Sequence, residues 1–191
     1  MRVITGSARG AKLKAPKGMQ TRPTADRIKE SLFNILQTKV INAQVLDIFA
    51  GSGALGLEAL SRGAKSAVFI DKSNDSIKII KDNAQHTHLA ENIDIWHGDA
   101  LLGIKRLYNK NCLFDIIFCD PPYHMGLCQR ILYELDQYNL LKHKGLFIAE
   151  IGADEELDIN SLNFNMLRSQ TYGSTTRINI YEYIVYYNFT K

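Results

Sequence analysis

Residues 45–56 read VLDIFAGSGALG, which is a short apolar strand, a glycine turn and the beginning of a helix. Gly51, Gly53 and Gly56 match the G-x-G-x-x-G fingerprint of loops that bind adenosine-containing cofactors, because glycine lets the backbone approach the ligand. Asp71 comes 20 residues after Gly51, at the end of the next predicted strand, where a carboxylate accepts hydrogen bonds from ribose hydroxyls. The stretch therefore predicts a cofactor-binding α/β fold.

Short apolar segments alternate with helical ones after this loop. Predicted strands cover residues 45–49, 66–70, 93–97, 115–119 and 145–150, and predicted helices cover 54–62, 75–88, 100–108 and 127–138. Short apolar strands between helices are typical of a parallel sheet covered on both faces. Residues 162–171 and 178–188 look like strands with no helix between them, which indicates an antiparallel pair. We predict an α/β fold: a doubly wound, mostly parallel, seven-stranded Rossmann-like sheet with a C-terminal antiparallel hairpin.

The charge is distributed unevenly along the 191 residues. The net charge is only +3, but residues 1–44 hold nine Lys and Arg against two acidic residues, and residues 45–191 carry a net charge of −4. The first residues mix a short strand-like piece with glycines, so we expect a small β-hairpin or arm there. We expect a basic arm and helix, residues 1–43, ahead of a catalytic body, residues 44–191. Such an arm indicates a polyanionic partner, with a merely solvated basic terminus as the alternative.

Several classes of protein are disfavoured by composition. No apolar run approaches the roughly 18 residues of a membrane span, and the first residues lack the apolar core of a signal peptide. Cys112, Cys119 and Cys128 include no C-x-x-C pair and are expected to be reduced thiols. We expect a cytoplasmic protein with no metal site and no membrane association.

Asp120-Pro121-Pro122-Tyr123 follows the fourth predicted strand. The two prolines lock the backbone, so the Asp120 carboxylate and the nearby carbonyls point in fixed directions. Such acceptors can bind the N–H groups of an exocyclic amine and stabilise the charge that develops on it, while Tyr123 stacks on the base. Direct transfer to that amine then depends on proximity and orientation. The alternative is a proline turn after a core strand.

Asp47 and Asp99 favour S-adenosylmethionine over NAD as the cofactor. Asp47 lies within the first strand, where a pyrophosphate would avoid a carboxylate but a cofactor with an amino group and a sulfonium would gain from it. Asp99 follows the third strand and is well placed to accept a hydrogen bond from an adenine amino group. The pattern favours S-adenosylmethionine over NAD, although a single Asp at a strand end can also be a helix N-cap.

Asp-Pro-Pro-Tyr, together with the Phe-Ala-Gly-Ser-Gly loop, resembles the amino-group S-adenosylmethionine-dependent methyltransferases. RPTADRIKESLFN at residues 22–34 and DIFAGSGALGLEALSRGA at residues 47–64 resemble the bacterial RsmD-type enzymes, which methylate guanine N2 in 16S ribosomal RNA. Tyr172-Gly173 with Tyr181 is similar to the closing hairpin of that family. Thr5-Gly6 stands where the family usually has two glycines, and the resemblance covers nearly the whole chain.

This resemblance implies methyl transfer from S-adenosylmethionine to the exocyclic N2 amine of a guanine in 16S ribosomal RNA, free or in a small-subunit assembly intermediate, by a monomer. It implies catalysis at Asp120, Pro121, Pro122 and Tyr123. It implies cofactor contacts at Asp47, Phe49, Gly51, Gly53, Asp71, Lys72, Asp99 and Ala100. We expect the RNA to be bound by Arg9, Lys12, Lys14, Arg22 and Arg27.

Three other functions stay open. Methylation of adenine N6 in DNA uses the same chemistry, but no segment looks like a target-recognition domain. An NAD-binding oxidoreductase would use the glycine loop and leave residues 120–123 without a role. A methyltransferase fold that only binds RNA would not need its acidic, glycine and proline positions intact.

Overall fold

The computed structural model describes residues 1–16 and 23–185, without the side chains of residues 23–25. These residues form five α-helices and seven strands. The helices are α1 (Pro23–Leu36), α2 (Ala54–Ser61), α3 (Asn74–His86), α4 (Ala100–Asn109) and α5 (Leu127–Tyr138). The strands are β1 (Gln44–Ile48), β2 (Ser66–Asp71), β3 (Ile93–His97), β4 (Phe114–Cys119), β5 (Leu141–Gly152), β6 (Phe164–Tyr172) and β7 (Thr176–Tyr183). The described helices include none that is long and apolar enough to cross a membrane.

The seven strands form one sheet in the order β3-β2-β1-β4-β5-β7-β6. Strands β1 to β5 are parallel, and β7 runs antiparallel to both of its neighbours. The predicted fold class is therefore confirmed. The order of the strands reverses between β1 and β4, and open α/β sheets bind their ligands at the carboxyl ends of the strands beside such a switch point. The glycine loop follows β1, and residues 120–123 follow β4, so both lie at this point.

Each face of the sheet is covered by its own helices, because side chains along a strand point alternately to the two faces. On one face, Val45 packs in a core with buried residues of α1, α2 and α3, such as Phe33. On the other face, Leu46 packs in a second core with buried residues of α4 and α5, such as Ile131. This three-layer arrangement holds the ends of β1 and β4 in fixed positions.

Strand β5 is longer than predicted. The sequence predicted a strand over residues 145–150, whereas β5 extends over Leu141–Gly152. Leu141 pairs with Phe114 and Leu146 pairs with Ile116, so four residues of β5 are looped out opposite a single residue of β4. Lys144 takes the left-handed backbone conformation there, with φ of 63°. This irregularity interrupts the apolar pattern and explains why the first half of the strand was not predicted.

The predicted antiparallel pair near the end of the chain is confirmed, with shifted bounds. Strands were predicted over residues 162–171 and 178–188 and form over Phe164–Tyr172 and Thr176–Tyr183. Residues 186–188 lie outside the described part of the chain. The last strand enters the sheet between β5 and β6, and this position brings its first residues to the carboxyl end of β5. The helix predicted over residues 75–88 ends at His86.

The N-terminal segment forms the expected small hairpin. Arg2 and Lys12 make an antiparallel bridge, and the hydrogen bond from the Val3 N–H to the Ala11 carbonyl measures 2.9 Å. Val3 and Leu13 are buried in the same core as α1, α2 and α3. The arm thus shares its core with the body of the protein. A functional division of the chain between residues 43 and 44 stays a prediction.

Candidate active site

The glycine loop combines left-handed backbone with close packing. Phe49, Gly51 and Gly53 have φ values of 63°, 56° and 76°, a conformation that glycine adopts without strain. Phe49 adopts this left-handed conformation although it carries a side chain, and such strained residues occur often at ligand-binding sites. A Cβ at Gly56 would lie 2.3 Å from the ring of Phe69, so only glycine fits where α2 meets β2. The backbone therefore turns tightly at the end of β1, and α2 begins close to β2.

Carboxylates from neighbouring strands hold this loop. The Gly51 N–H donates to Asp71 Oδ2 at 2.8 Å, and the Gly56 N–H donates to Asp47 Oδ2 at 2.9 Å. Asp99 is exposed and caps α4, because its Oδ1 accepts hydrogen bonds from the backbone N–H groups of Leu101 and Leu102. Asp99 thus has the cap role noted as the alternative, while one side of its carboxylate stays open to solvent. Lys72 is exposed beside Asp71.

A cavity of about 400 Å³ opens at the carboxyl ends of β1 and β4, a size in the range of small-molecule sites. It brings together five residues that were predicted from two distant stretches of sequence. These are Asp47, Phe49, Gly51, Asp120 and Tyr123. The other predicted site residues are outside its lining: Gly53, Asp71, Lys72, Asp99, Ala100, Pro121 and Pro122. Asp71 and Asp99 lie beyond it, at the same edge of the sheet on β2 and after β3.

The cavity is strongly acidic. Asp47 is buried, and burial raises its pKa to about 7, against the lowering effect of the Gly56 hydrogen bond. Asp120 is accessible from the cavity but surrounded by protein, and this desolvation, followed by the charges of Glu150 and Asp47, raises its pKa well above the ordinary value. No ion pair among the described residues includes any of these three carboxylates. The cavity is therefore suited to a ligand that carries positive charge.

Tyr123 is held by two strands that the sequence analysis did not connect to it. Its hydroxyl donates to Glu150 Oε1 at 2.7 Å and lies 3.1 Å from Thr176 Oγ1. Glu150 belongs to β5 and Thr176 begins β7, and both line the cavity. These contacts fix the ring of Tyr123 beside Asp120.

Lys29 is the basic residue in the lining of the cavity, but its charge is engaged elsewhere. Its Nζ lies 3.2 Å from Glu58 Oε2 and donates to the Arg2 carbonyl at 2.6 Å. Glu58 is fully buried and also accepts from the backbone N–H groups of Ile4 and Thr5. Burial lowers the pKa of Lys29, and the charge of Glu58 opposes that effect. Lys29 and Glu58 thus join α1, α2 and the N-terminal arm.

The predicted RNA-binding residues do not form one cluster. Arg9 and Arg27 line a second cavity of about 620 Å³ between the arm and α1, together with Arg2. Lys12 is exposed on the arm, and the Nζ of Lys14 lies 2.7 Å from Asp82 Oδ2 on α3. Arg22 lies outside the described residues.

Four residues of this region were missed by sequence analysis: Lys29, Glu58, Glu150 and Thr176. Glu150 carried a usable signal, since it is an acidic residue at the end of a predicted apolar strand, like Asp71. The contacts of Glu58 with the arm and of Thr176 with Tyr123 each join residues that are at least 50 positions apart. Such pairings leave no local trace in a sequence.

Comparisons with known proteins show which proteins this chain is similar to in sequence and fold. The family described as "Conserved hypothetical protein 95" matches residues 1–182. Ribosomal RNA small subunit methyltransferase D of Escherichia coli is 37% identical to this chain, over 91% of this chain and 85% of the relative. A solved Escherichia coli structure that is named as a methyltransferase superposes with a TM-score of 0.84 at 32% identity, covering 97% of this chain and 99% of that one. A solved structure named as a methyltransferase complexed with SAH shares the fold at 17% identity, with a TM-score of 0.66 over 82% of this chain and 48% of that one.

The strand order, with the glycine loop after β1 and the acidic cavity at the switch point, is that of a Rossmann-like α/β fold, which the chain shares with a solved structure named as a methyltransferase. Within that fold, the match over nearly the whole chain identifies the family. The chain belongs to the RsmD family of methyltransferases.

Proposed function

We propose that this protein transfers the methyl group of S-adenosylmethionine to the exocyclic N2 amine of a guanine in 16S ribosomal RNA. One observation carries the proposal: the glycine loop, Asp47, Asp120 and Tyr123 line a single cavity, and its carboxylates have no cationic partner within residues 1–16 and 23–185. The name of the Escherichia coli relative supports ribosomal RNA as the substrate. The choice of guanine N2 rests on the family resemblance of residues 22–34 and 47–64.

The residues around the cavity fit S-adenosylmethionine. This cofactor carries a sulfonium and an amino group, and it supplies the methyl group when it is bound. Asp47 and Asp120 provide negative charge for these cationic groups, whereas the pyrophosphate of NAD would be repelled. Asp71 and Asp99, with Lys72 and Ala100 beside them, lie along the edge where the adenosine part of the cofactor would extend.

Residues 120–123 act on the target base in this proposal. The Asp120 carboxylate and the carbonyls beside the prolines accept hydrogen bonds from the guanine amine and stabilise it as it becomes tetrahedral. Tyr123 stacks on the base, and its hydroxyl contacts with Glu150 and Thr176 fix the angle of the ring. The base has to be flipped or unpaired to enter the cavity.

The N-terminal arm binds the RNA backbone in this proposal. Arg9 and Arg27 line the cavity between the arm and α1, and Lys12 adds positive charge on the same hairpin. Phosphate contacts of this kind supply affinity and position the substrate, while the site itself selects the base. The monomeric state and the boundary after residue 43 belong to the same proposal.

The proposal is tested on ribosomal RNA and on partly assembled small subunits from a strain that lacks this protein. Methylated nucleosides are identified by mass spectrometry after incubation with S-adenosylmethionine. We expect N2-methylguanosine at one position. DNA is incubated in the same way, and N6-methyladenosine found in it would instead support the adenine methyltransferase. Calorimetry with both cofactors is the second measurement, and binding of NAD without binding of S-adenosylmethionine would refute the methyltransferase assignment.

A further inference from the structure

Glu150 is a half-buried carboxylate that lines the same cavity as Asp120 and Tyr123. None of the ion pairs formed by the described residues includes it. A carboxylate that has left water without a cationic partner is costly, and a glutamine could accept the Tyr123 hydrogen bond without that cost. The charge of Glu150 therefore has a use that its contact with Tyr123 does not explain.

The two carboxylate oxygens of Glu150 have different surroundings. Oε1 accepts the hydrogen bond from the Tyr123 hydroxyl at 2.7 Å, which holds the carboxylate in place. Oε2 has no hydrogen-bond partner within residues 1–16 and 23–185, and it is not among the buried polar atoms left unpartnered there. One oxygen is thus anchored, while the other is free and accessible.

The electrostatic surroundings of Glu150 favour uptake of a proton. Burial raises its pKa, while the Tyr123 hydrogen bond acts in the opposite direction. Burial and the charge of Glu150 likewise raise the pKa of Asp120. Two neighbouring carboxylates that repel each other are stabilised when one of them takes up a proton. The cation of Lys29 does not offset this effect, since its Nζ is bound to Glu58 and to a backbone carbonyl.

The proposed reaction requires a proton acceptor. The lone pair of the exocyclic amine forms a bond to the methyl carbon, the carbon–sulfur bond breaks, and its electron pair stays on sulfur. The nitrogen then carries a positive charge and one hydrogen more than the neutral methylamine product. We propose that Glu150 accepts this proton on Oε2, which leaves a neutral carboxylic acid and a neutral secondary amine, while Asp120 keeps the amine in position. This inference rests on the proposed function.

The test compares E150Q with D120N in single-turnover methyl transfer to guanine-containing ribosomal RNA over a range of pH. Glutamine keeps the acceptor for Tyr123 but cannot take up the proton, so we expect the rate of E150Q to fall about 100-fold, as is typical for loss of a general base. The rise of the rate with pH in the wild type should disappear. Affinities for cofactor and RNA should stay within threefold. D120N keeps an acceptor oxygen and should lose less than tenfold.

Y123F separates proton uptake from positioning of the ring. If Glu150 acted only by positioning Tyr123, then E150Q would keep the pH profile of the wild type, and any loss of activity in E150Q would be no larger than the loss in Y123F and would not add to it in the double variant; that result overturns the inference. Activity of E150Q within threefold of the wild type overturns it as well, as does a larger loss in D120N than in E150Q. A wild-type protein that methylates no guanine would overturn the proposed function first and this inference with it.

Discussion

Two sets of carboxylates in this molecule lie in opposite electrostatic surroundings. Glu58 is fully buried and fully compensated by Lys29, by Arg62 at 2.7 Å and by two backbone N–H groups of the arm. Asp47 and Asp120 line the cavity without any cationic partner among the described residues. A buried carboxylate that is paired with cations and N–H donors is typical of a structural junction. Carboxylates in a cavity without cationic partners indicate a site prepared for a cationic ligand. Each prediction below challenges or refines this contrast.

The largest effect is expected from D120A. Loss of the carboxylate removes an acceptor for the target amine at the carboxyl end of β4, and the loss of one such preorganised group slows a reaction by about 100-fold or more. Cofactor affinity should change only a few-fold, because the glycine loop and Asp47 stay in place. Methyl-transfer assays and calorimetry measure the two effects separately. Full activity of D120A would remove Asp120 from the mechanism.

E58A should destabilise the fold. Removal of Glu58 leaves the buried Lys29 and the partly buried Arg62 without their partner, and breaking a buried pair in this way costs about 3–5 kcal/mol in the free energy of unfolding. Urea unfolding measures this change. The matched control is D82N, which breaks the exposed ion pair with Lys14 and should cost less than about 1 kcal/mol. Equal losses in the two variants would contradict the assignment of Glu58 as a structural junction.

Asp47 should make the free protein less stable as the pH rises. Its pKa is raised from 3.8 to about 7 on folding, so between these values the folded state holds a proton that the unfolded chain has released. Stability is therefore highest below about pH 4 for this group and falls as the pH rises towards 7. D47N should remove part of that slope, at most about 4 kcal/mol between pH 4 and 8.

Urea unfolding at several pH values, with and without S-adenosylmethionine, checks the effect of Asp47. The charges of Asp120 and Glu150 act in the same direction, so D47N should flatten the dependence without abolishing it. Bound S-adenosylmethionine should also flatten it in the wild type, because its positive charge favours the ionised carboxylates. A slope that is the same in D47N and in the wild type would show that Asp47 ionises normally in the folded protein.

Local signals in the sequence predicted much of this arrangement. The glycine loop, the carboxylates at strand ends and the Asp-Pro-Pro-Tyr turn each occupy a few consecutive residues, and the strand order brought them to one edge of the sheet as expected. The junction around Glu58 was not predicted, because it joins Glu58 to Lys29 on another helix and to residues of the arm that are more than 50 positions away. In the sequence, Glu58 and Arg62 look like an ordinary i,i+4 surface pair on a helix, whereas in the structure Glu58 also contacts the arm and Arg62 lies over the ring of Phe33.

The smallest effect is expected in the arm, where positive charge faces solvent. R9Q and K12Q together should weaken binding of ribosomal RNA several-fold and reduce the slope of log affinity against log salt by about 0.7–0.9 per lost phosphate contact. K14Q should have a weaker effect, because Lys14 already pairs with Asp82. The control, compared per lost charge, is K105Q, which replaces an exposed lysine of α4 on the opposite face of the sheet. If K105Q lowered the slope as much as the arm variants, net charge rather than the arm would account for RNA binding.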